Sequence, residues 1–213
     1  MNIFRLRLPE SLSRLSGPRR RWRRKAGLCF SGKGGMVKGM DNGRVQDGVG
    51  GSGWVWRYRT PEPFDDLWLG SDGEALTGVW FAGTREVAGE ERWMPVFGEA
   101  CRWLDGYFAG RPPEWVPALK LVGATAFRRE VSEEMRRIPF GATATYGEIA
   151  AAIARRRGVA GMSAQAVGRA AGWNPICIVI PCHRVVGAGG ALTGYGGGLH
   201  NKRALLELER EMR

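Results

Sequence analysis

A cysteine and a histidine stand side by side near the end of the chain, in the sequence Pro181-Cys182-His183-Arg184. The thiolate is the nucleophilic form of cysteine, and a neighbouring imidazole or cation lowers the thiol pKa enough to populate it. The apolar residues 176–180, which lie between two prolines, predict a short buried strand directly before the cysteine. Most isolated cysteines are small buried hydrophobes. A strand that ends by presenting a thiol beside a base instead indicates nucleophilic chemistry.

The composition is typical of a soluble globular protein without a metal site. The 213 residues suffice for one moderate domain, or one domain with a small partner, and 44% of them are apolar. The four cysteines show no C-x-x-C spacing, and the two histidines do not complete a zinc set. No apolar run approaches the length of a membrane span. We therefore expect a cytoplasmic protein with reduced thiols, no metal, no cofactor and no membrane association.

Positive charge is unevenly distributed along the chain, whose formal net charge is +11. Residues 1–50 hold 12 Lys and Arg against 3 Asp and Glu, residues 51–139 hold 11 against 14, and residues 140–213 hold 9 against 4. The part that contains Cys182 is therefore basic on its own. This is compatible with a nucleic-acid partner without being specific for one.

Residues 1–50 are predicted to be disordered, because they combine arginine clusters with a glycine-rich stretch and show no hydrophobic period. Their paired arginines are similar to an export signal, but no apolar segment follows them. Such a basic tail either adds non-specific DNA affinity, or has no role, or is not made because translation begins at Met36 or Met40. We favour the interpretations in which the tail has no function.

Residues 51–122 predict a small scaffold lobe of sheet and helix. Three short segments have strand character, namely residues 55–59, 66–69 and 75–81. Asp72-Gly73 supplies a hairpin turn between the last two of them. A helix follows and is stopped at Gly110. Its predicted buried face consists of Ala100, Trp103, Leu104, Tyr107 and Phe108.

Residues 123–213 predict a mainly helical lobe. The predicted helix starts are Thr125 as an N-cap, Thr145 with Glu148 as a capping box, and Ser163 as an N-cap. A loop over residues 155–162 separates the last two helices, and the second of them is built from small residues over 164–171. Two short helices joined by a glycine-containing loop are typical of a helix-turn-helix, although many such pairs never bind DNA.

Five short motifs occur in order along this second lobe: Tyr146-Gly147-Glu148-Ile149-Ala150, Ala166-Val167-Gly168, Asn174-Pro175, Ile180-Pro181-Cys182-His183-Arg184-Val185-Val186-Gly187 and Leu192-Thr193-Gly194-Tyr195-Gly196-Gly197-Gly198. Together they resemble the O6-alkylguanine-DNA alkyltransferase family, the direct-reversal repair proteins also called methylated-DNA–protein-cysteine methyltransferases. The resemblance is dense over residues 126–209, fainter over 58–110 and absent from 1–50. It implies an α+β fold in which a ribonuclease H-like N-terminal lobe precedes the helical lobe with the helix-turn-helix and the active-site cysteine.

The resemblance implies stoichiometric repair of double-stranded DNA that bears alkylated bases, by a monomer with no obligate protein partner. Cys182 takes the alkyl group from O6-alkylguanine, and from O4-methylthymine, irreversibly, so that each molecule acts once. His183 is the general base through a bound water, and Glu209, in a predicted helix over residues 202–212, orients it. These roles follow the logic of a nucleophile, a base and an orienting group. Without the resemblance, Glu209 reads as an exposed surface carboxylate.

The resemblance also implies that the damaged nucleotide is flipped into a pocket, because guanine O6 is out of reach inside a duplex. Tyr146 crowds the 3′ phosphate and donates towards the flipped base, whose leaving guanine gains negative charge. Residues 193–198 form the lip of this pocket, with Tyr195 and the backbone of Gly196 near O6. Asn174 ties the helix-turn-helix to the active-site turn. Taken alone, Tyr146 is a half-buried aromatic residue and Asn174 is a turn residue before a proline.

One position departs from the family pattern. Many members place an arginine in the second helix, where it fills the gap left by the flipped base, whereas this chain has Gln165. Without that charge we expect weaker duplex binding or slower extrusion of the base. Arg169, one turn further along, is the candidate for a phosphate contact, and the arginines at 155–157 either follow the DNA backbone or face solvent. The remaining expected DNA- or substrate-contacting positions are Ala166, Gly168, Arg184, Val185 and Lys202.

Two other classes of function stay open. One is a damage-binding protein of the same fold that transfers nothing, in which the acceptor cysteine is replaced. The presence of Cys182 argues against it. The other is a thiol hydrolase, for which His200 is the only other candidate base, and no oxyanion-hole motif accompanies it.

Overall fold

The computed structural model describes residues 53–212. The predicted tail over residues 1–50 lies outside the described residues. The described part of the chain has an α+β fold with a four-stranded sheet, a two-stranded ladder and five α-helices. None of its helices is long and apolar enough to cross a bilayer.

The sheet is built from four strands, β1 (Trp54–Tyr58), β2 (Leu67–Ser71), β3 (Leu76–Phe81) and β4 (Glu90–Glu91). Their order is β3-β2-β1-β4, with antiparallel pairing except between β1 and β4. The three predicted strands and the hairpin at Asp72 are thereby confirmed. The Asp72 carboxylate accepts from the backbone N–H groups of Glu74 and Ala75 and so closes the turn. The strand β4 was not predicted, since two exposed glutamates carry no strand pattern.

The helix α1 (Pro95–Phe108) packs against β2 and β3. Its buried face contains every residue that the helical spacing predicts, together with three more: Val96, Phe97 and Cys101. Pro95 opens the helix, where a missing N–H costs nothing. Tyr107 points into the interior at full burial, which matters for the site described below.

Three helices of the second half pack against one another: α2 (Ala126–Arg136), α3 (Tyr146–Arg157) and α4 (Ala164–Gly172). All the predicted caps are confirmed. The side chains of Thr125, Thr145 and Ser163 each accept from a backbone N–H in the first turn, and Glu148 completes the capping box at α3. These caps satisfy N–H groups that have no partner inside the helix.

The arginines at 155–157 form the last turn of α3 and not the predicted loop, which begins at Gly158 in the left-handed region. Arginine is a good helix former, and cations are favourable at a helix C-terminus. Arg156 and Arg157 also pair with Glu130 and Glu134 on α2. Both arginines are exposed, so the prediction that they face solvent is confirmed, and they also join α3 to α2. A contact with the DNA backbone stays a prediction.

The apolar segment before Cys182 is a buried turn, which makes the predicted strand over 176–180 wrong. Ile176 forms an isolated bridge with Val79 of β3, and the chain then folds back so that the Ile180 N–H donates to the Ile176 carbonyl at 3.1 Å. Ile178 has a φ of 69°, which is uncommon for a β-branched residue and stores strain. Apolar composition is shared by buried strands and buried turns, so the pattern alone did not distinguish them.

A short two-stranded ladder and a last helix also belong to the fold. The strands β5 (Ala144–Thr145) and β6 (Val185–Val186) form a short parallel ladder, and α5 (Leu199–Glu211) starts three residues before its predicted beginning. The inner face of α5 carries Lys202 and Glu209, both about 1% exposed. This helix therefore brings two charged groups into the interior beside Cys182 and its neighbours.

Candidate active site

The parallel ladder positions the reactive segment. Residues Cys182–Arg184 form a short 3₁₀ turn that leads directly into β6. Because β6 pairs with β5, and β5 leads directly into α3, the ladder brings the start of α3 beside the cysteine segment. Cys182 itself is 8% exposed, and His183 is fully buried.

Asn174 holds the turn that carries Cys182. Its side-chain oxygen accepts from the Ile176 N–H at 3.1 Å, and its Nδ2 donates to the carbonyls of Ile176 and Ile180 at 3.3 and 2.9 Å. The same Nδ2 lies 3.0 Å from Sγ of Cys182. A single buried amide thus links the end of α4 to both ends of the turn and to the thiol.

The surroundings of Cys182 favour its thiolate. Interaction with the Cys177 side chain lowers the pKa of Cys182 most, burial opposes this, and the Asn174 amide and the Lys202 charge lower it further. The pKa of Lys202 is itself lowered by burial, against the attraction of Cys182. Cys182 is therefore a buried thiol whose anion is hydrogen-bonded, which is the state that acts as a nucleophile.

His183 is held by its Nε2 atom. This atom lies 2.7 Å from Oε1 of Glu209 and 3.3 Å from the Tyr107 hydroxyl, whereas Nδ1 is buried and has no protein partner. Burial lowers the pKa of His183, and it outweighs the attraction of Glu209. With Nε2–H donated to the carboxylate, the neutral ring presents a free lone pair at Nδ1.

Glu209 is the centre of a buried polar network. The Arg184 guanidinium donates to both of its oxygens at 2.9 to 3.1 Å, and the Gly141 N–H donates to Oε2 at 2.9 Å. Burial alone would raise the pKa of Glu209, but the charges and hydrogen bonds of His183 and Arg184 lower it to about 2. The carboxylate is therefore ionised throughout the neutral range and keeps His183 in one orientation.

Tyr107 is a member of this network that sequence reasoning placed only in the core. Its hydroxyl donates to Oε1 of Glu209 at 2.7 Å. Burial, followed by the Glu209 charge, raises its pKa well above the ordinary value. The only signal in the sequence is a tyrosine at a position where the helical pattern asks for an apolar side chain, since a buried hydroxyl usually finds a partner.

The segment over residues 193–198 lies over the start of α3. The Thr193 hydroxyl donates to the Tyr146 hydroxyl at 3.1 Å. The rings of Tyr195 and Phe81 pack edge to face, with their centroids 6.3 Å apart. Burial raises the pKa of Tyr195 well above its ordinary value, so its phenol stays protonated. A Cβ at Gly197 would lie within 2.6 Å of both rings, so a side chain does not fit there. Gly196 is exposed at the same edge.

The outer side of α4 is open to solvent. Gln165 and Arg169 are exposed, and Ala166 and Gly168 are half-buried beside them. A Cβ at Gly168 would make ordinary contact with the Tyr146 ring at 3.7 Å, so this face of α4 borders the start of α3.

Three predicted contact residues are directed inward. Arg184 is bound to Glu209 and to the Ile138 carbonyl, and Val185 is fully buried in β6. Lys202 donates to the carbonyls of Val185 and Thr193 at 2.7 and 3.3 Å. These three side chains therefore have internal partners or burial in this structure, and Lys202 ties the 193–198 segment to β6. Their contact with substrate or DNA stays a prediction.

The alternative base, His200, is engaged elsewhere. It is exposed, and its Nε2 lies 2.7 Å from Oδ2 of Asp65. Within residues 53–212, no group of three or more His, Cys, Asp or Glu side chains is arranged to hold a metal ion. His183, in contrast, directly follows Cys182 in the sequence and has a buried Nδ1 without a protein partner.

Comparison with known proteins identifies the family of the chain. Residues 126–211 match the model of the DNA-binding domain of 6-O-methylguanine DNA methyltransferase. The methylated-DNA–protein-cysteine methyltransferase of Mycobacterium tuberculosis (strain ATCC 25618 / H37Rv) is 45% identical over 157 residues, which cover 72% of this chain and 92% of that relative. The protein of the same name from Methanosarcina acetivorans is 40% identical over 151 residues, 69% of this chain and 93% of the relative. The crystal structure of Mycobacterium tuberculosis OGT in complex with DNA superposes with a TM-score of 0.63 at 40% identity and covers 75% of this chain and 94% of that one. The chain belongs to the methylated-DNA–protein-cysteine methyltransferase family.

Proposed function

We propose that this protein repairs alkylated DNA by direct reversal. It takes the alkyl group of O6-alkylguanine, and of O4-methylthymine, from double-stranded DNA onto Sγ of Cys182, once per molecule. The observation that carries the proposal is the buried Cys182 thiol, hydrogen-bonded by Asn174 at 3.0 Å and followed by a histidine with a free Nδ1. The relatives named as methylated-DNA–protein-cysteine methyltransferases support it.

The transfer is a displacement at the alkyl carbon. The thiolate of Cys182 donates an electron pair to this carbon, the bond from carbon to O6 breaks, and the guanine leaves with the electron pair. The thiol proton passes through a water to Nδ1 of His183, whose neutral state is favoured by burial. Glu209, held ionised by Arg184, then stabilises the imidazolium. The product is a thioether at Cys182. Its new carbon–sulfur bond is stable, so the free thiol is not regenerated and each protein molecule acts once.

The leaving guanine is stabilised by donors at the lip of the pocket. We assign the Tyr146 hydroxyl, the Tyr195 phenol and the Gly196 N–H to this role, because developing negative charge is best met by fixed donors. The hydrogen bond from Thr193 to Tyr146 supports a preformed lip. The damaged nucleotide reaches it by flipping out of the duplex.

We further propose that α3 and α4 act as a helix-turn-helix, with the exposed side of α4 against the DNA. Gln165 occupies the space of the flipped base, Arg169 contacts a phosphate, and the small Ala166 and Gly168 allow close approach. Residues 51–122 then form a ribonuclease H-like scaffold lobe, and residues 123–213 form the lobe that binds DNA and accepts the alkyl group. The protein acts as a monomer.

The test compares the wild-type protein with Cys182→Ala on duplexes with and without O6-methylguanine. We expect both proteins to bind the damaged duplex with similar affinity, while only the wild type removes the methyl group. Asn174→Ser, which keeps the cysteine, is a matched control that should slow removal without abolishing it. Removal of the methyl group by Cys182→Ala would refute the mechanism, and binding without removal by the wild type would point to a damage-binding protein.

A further inference from the structure

A buried asparagine joins two segments that lie far apart in the sequence. Asn201, in the first turn of α5, is fully buried. Its Nδ2 donates to Oδ2 of Asp65 at 2.8 Å and to the carbonyl of Gly197 at 2.8 Å, and its Oδ1 accepts from the Asp65 N–H at 3.2 Å. These partners fix the orientation of the amide, because two of them accept and one donates. The proposed transfer makes no use of Asn201.

Asp65 belongs to a loop that is held firmly between β1 and β2. The Thr60 hydroxyl is within hydrogen-bonding distance of the carbonyls of Phe64 and Asp65, at 3.0 and 3.1 Å. The Thr60 N–H donates to Oδ1 of Asp66 at 3.2 Å. Phe64 is buried, and its ring packs against that of Phe108 on α1 with the centroids 5.0 Å apart. The loop is therefore fixed to the sheet and α1, and Asp65 is a firm anchor for a group on α5.

The lip (residues 193–198) is a segment that needs support from outside. Gly196, Gly197 and Gly198 follow one another in it, and glycine restricts the backbone least. The Gly198 N–H donates to the Tyr195 carbonyl at 3.0 Å, which closes a turn over these residues. In the proposed transfer, the Tyr195 phenol and the Gly196 N–H meet the leaving guanine. Because fixed donors stabilise developing charge best, whatever holds this turn affects the rate.

Side chains of α5 anchor the lip at both of its ends. Lys202 donates to the Thr193 carbonyl at 3.3 Å, and Asn201 donates to the Gly197 carbonyl. The Lys202 side chain also reaches β6, whereas the Asn201 side chain continues to Asp65 in the loop between β1 and β2. Asn201 is therefore an anchor that joins the lip to the scaffold lobe.

We propose that Asn201 is a positioning residue for the transfer, because it fixes the lip of the pocket to the scaffold lobe through Asp65. The proposal rests on the proposed function, in which the lip stabilises the leaving guanine. The Asn201 amide is occupied by its own partners, so it acts through the positions of Tyr195 and Gly196. The scaffold lobe thereby sets the shape of the pocket as well as supporting the second lobe.

The test compares Asn201→Ala, which removes its three hydrogen bonds, with Asp65→Ala, which keeps the bond from Asn201 to Gly197 and loses the carboxylate. His200→Ala is the matched control, because it removes an exposed partner of the same Asp65 oxygen and leaves the Asn201 bonds in place. We would measure methyl transfer from a duplex with O6-methylguanine over a range of DNA concentrations. Reaction of Cys182 with iodoacetamide and hydrogen exchange of the lip are measured without DNA. Thermal unfolding identifies any variant that does not fold.

We expect Asn201→Ala to slow transfer from the bound duplex by roughly tenfold or more, because displaced donors no longer meet the leaving guanine. The DNA concentration that gives half of the maximal rate should stay unchanged, since the outer side of α4 is intact. Iodoacetamide should react with Cys182 as fast as in the wild type, and the Gly198 N–H should exchange faster. Asp65→Ala should lie between Asn201→Ala and the wild type, and His200→Ala should match the wild type in every measurement.

Transfer rates equal to that of the control in both Asn201→Ala and Asp65→Ala would overturn the proposal. So would an equal loss in transfer and in the iodoacetamide reaction, since that pattern would mean a general loosening around Cys182. If Asn201→Ala does not fold, Asp65→Ala decides between these outcomes. Failure of the wild type to take a methyl group would reject the proposed function. Hydrogen exchange would then decide the role of Asn201 by itself, because faster exchange of the lip supports it and unchanged exchange rejects it.

Discussion

The inner and outer sides of this site differ in the environment of their arginines: the inner arginine is buried and paired with a carboxylate, and the outer one is exposed. On the inner side, Arg184 is 8% exposed, and its guanidinium donates to Glu209 and to a backbone carbonyl. On the outer side, Arg169 is exposed on α4, one helical turn from the exposed Gln165. Within residues 53–212, no ion pair joins Arg169 to a carboxylate.

The contrast follows from the cost of burying charge. A buried charge without a partner destabilises the folded state strongly, so each member of the inner network depends on the others. An exposed charge costs little and is free to meet a ligand. We infer that the inner side tolerates little change, whereas the outer side sets the affinity for DNA and is open to substitutions such as Gln165.

Among the substitutions, Glu209→Gln should lower the stability of the folded protein most, because it leaves the Arg184 charge buried without a counter-ion. We expect the free energy of unfolding to fall by about 3–5 kcal/mol. Urea unfolding measures this loss. The matched control is Glu133→Gln on the exposed side of α2, which should change stability by less than about 0.5 kcal/mol. Equal effects of the two substitutions would show that the inner network does not differ from an exposed carboxylate.

The same variant should change how stability depends on pH. The pKa of Glu209 is lowered from 4.5 to about 2 in the folded protein. Its stabilisation is therefore complete above pH 4.5 and is lost as the pH falls towards 2. Urea midpoints measured across this range should fall steeply in the wild type and less steeply in Glu209→Gln. Parallel curves would contradict the assignment of Glu209 as the low-pKa group.

Asn174→Asp should lower the reactivity of the Cys182 thiol, an effect of intermediate size among these predictions. Aspartate keeps the acceptor for the Ile176 N–H but loses the donor to Cys182 and adds a negative charge beside it. We expect the pKa of Cys182 to rise and the reaction with iodoacetamide at neutral pH to slow by roughly tenfold or more. Asn174→Ala, which loses the donor without adding charge, should fall between Asn174→Asp and the wild type. A faster reaction in Asn174→Asp would exclude the amide as a stabiliser of the thiolate.

Arg169→Ala should weaken DNA binding modestly and leave stability unchanged. Loss of one phosphate contact lowers the slope of log K against log salt by about 0.9. Fluorescence anisotropy over a salt series measures both affinity and slope. Arg102→Ala, an exposed arginine on α1, is the control and should leave the slope unchanged. The same slope in both variants would place Arg169 outside the interface.

Gln165→Arg should have the smallest effect, and it should strengthen DNA binding where Arg169→Ala weakens it. The added charge should tighten duplex binding a few-fold and speed repair, since base extrusion is then better compensated. Gln165→Lys adds the charge without the planar guanidinium and separates charge from stacking. Unchanged affinity and unchanged repair rate in Gln165→Arg would show that this position does not limit either step.

The sequence predicts those parts of the fold that depend on local chemistry. Thr125, Thr145 and Ser163 are confirmed as caps because a hydroxyl next to free N–H groups acts within one turn of the chain. The hairpin at Asp72 follows from the same kind of short-range bond. These helix starts and this hairpin turn were therefore predictable to within a few residues.

Long-range contacts were not predictable from local pattern. The side chains of Arg184 and Lys202 were expected to contact DNA or substrate, and the sequence gives no sign that partners distant along the chain bury them. The turn over 176–180 depends on the side chain of Asn174, which competes with strand pairing for the backbone. The hydroxyl of Tyr107 donates to Glu209 across a sequence separation of 102 residues, and no spacing rule reaches that far.

The roles of Cys182, His183 and Glu209 stay predictions that rest on the family resemblance and on chemistry. The structure brings the side chains of His183 and Glu209 within 2.7 Å of each other. The order of the motifs, and not the spacing of these residues, was the signal that first joined them. A carboxylate near the chain end has no distinguishing local pattern.

The most direct measurement is the intact mass of the protein after incubation with a duplex that contains O6-methylguanine, with an unmethylated duplex as control. We predict a gain of one methyl group per chain that saturates with excess DNA and maps to the peptide of Cys182. No gain in mass despite binding, or a methyl group on any other residue, would show that Cys182 is not the acceptor.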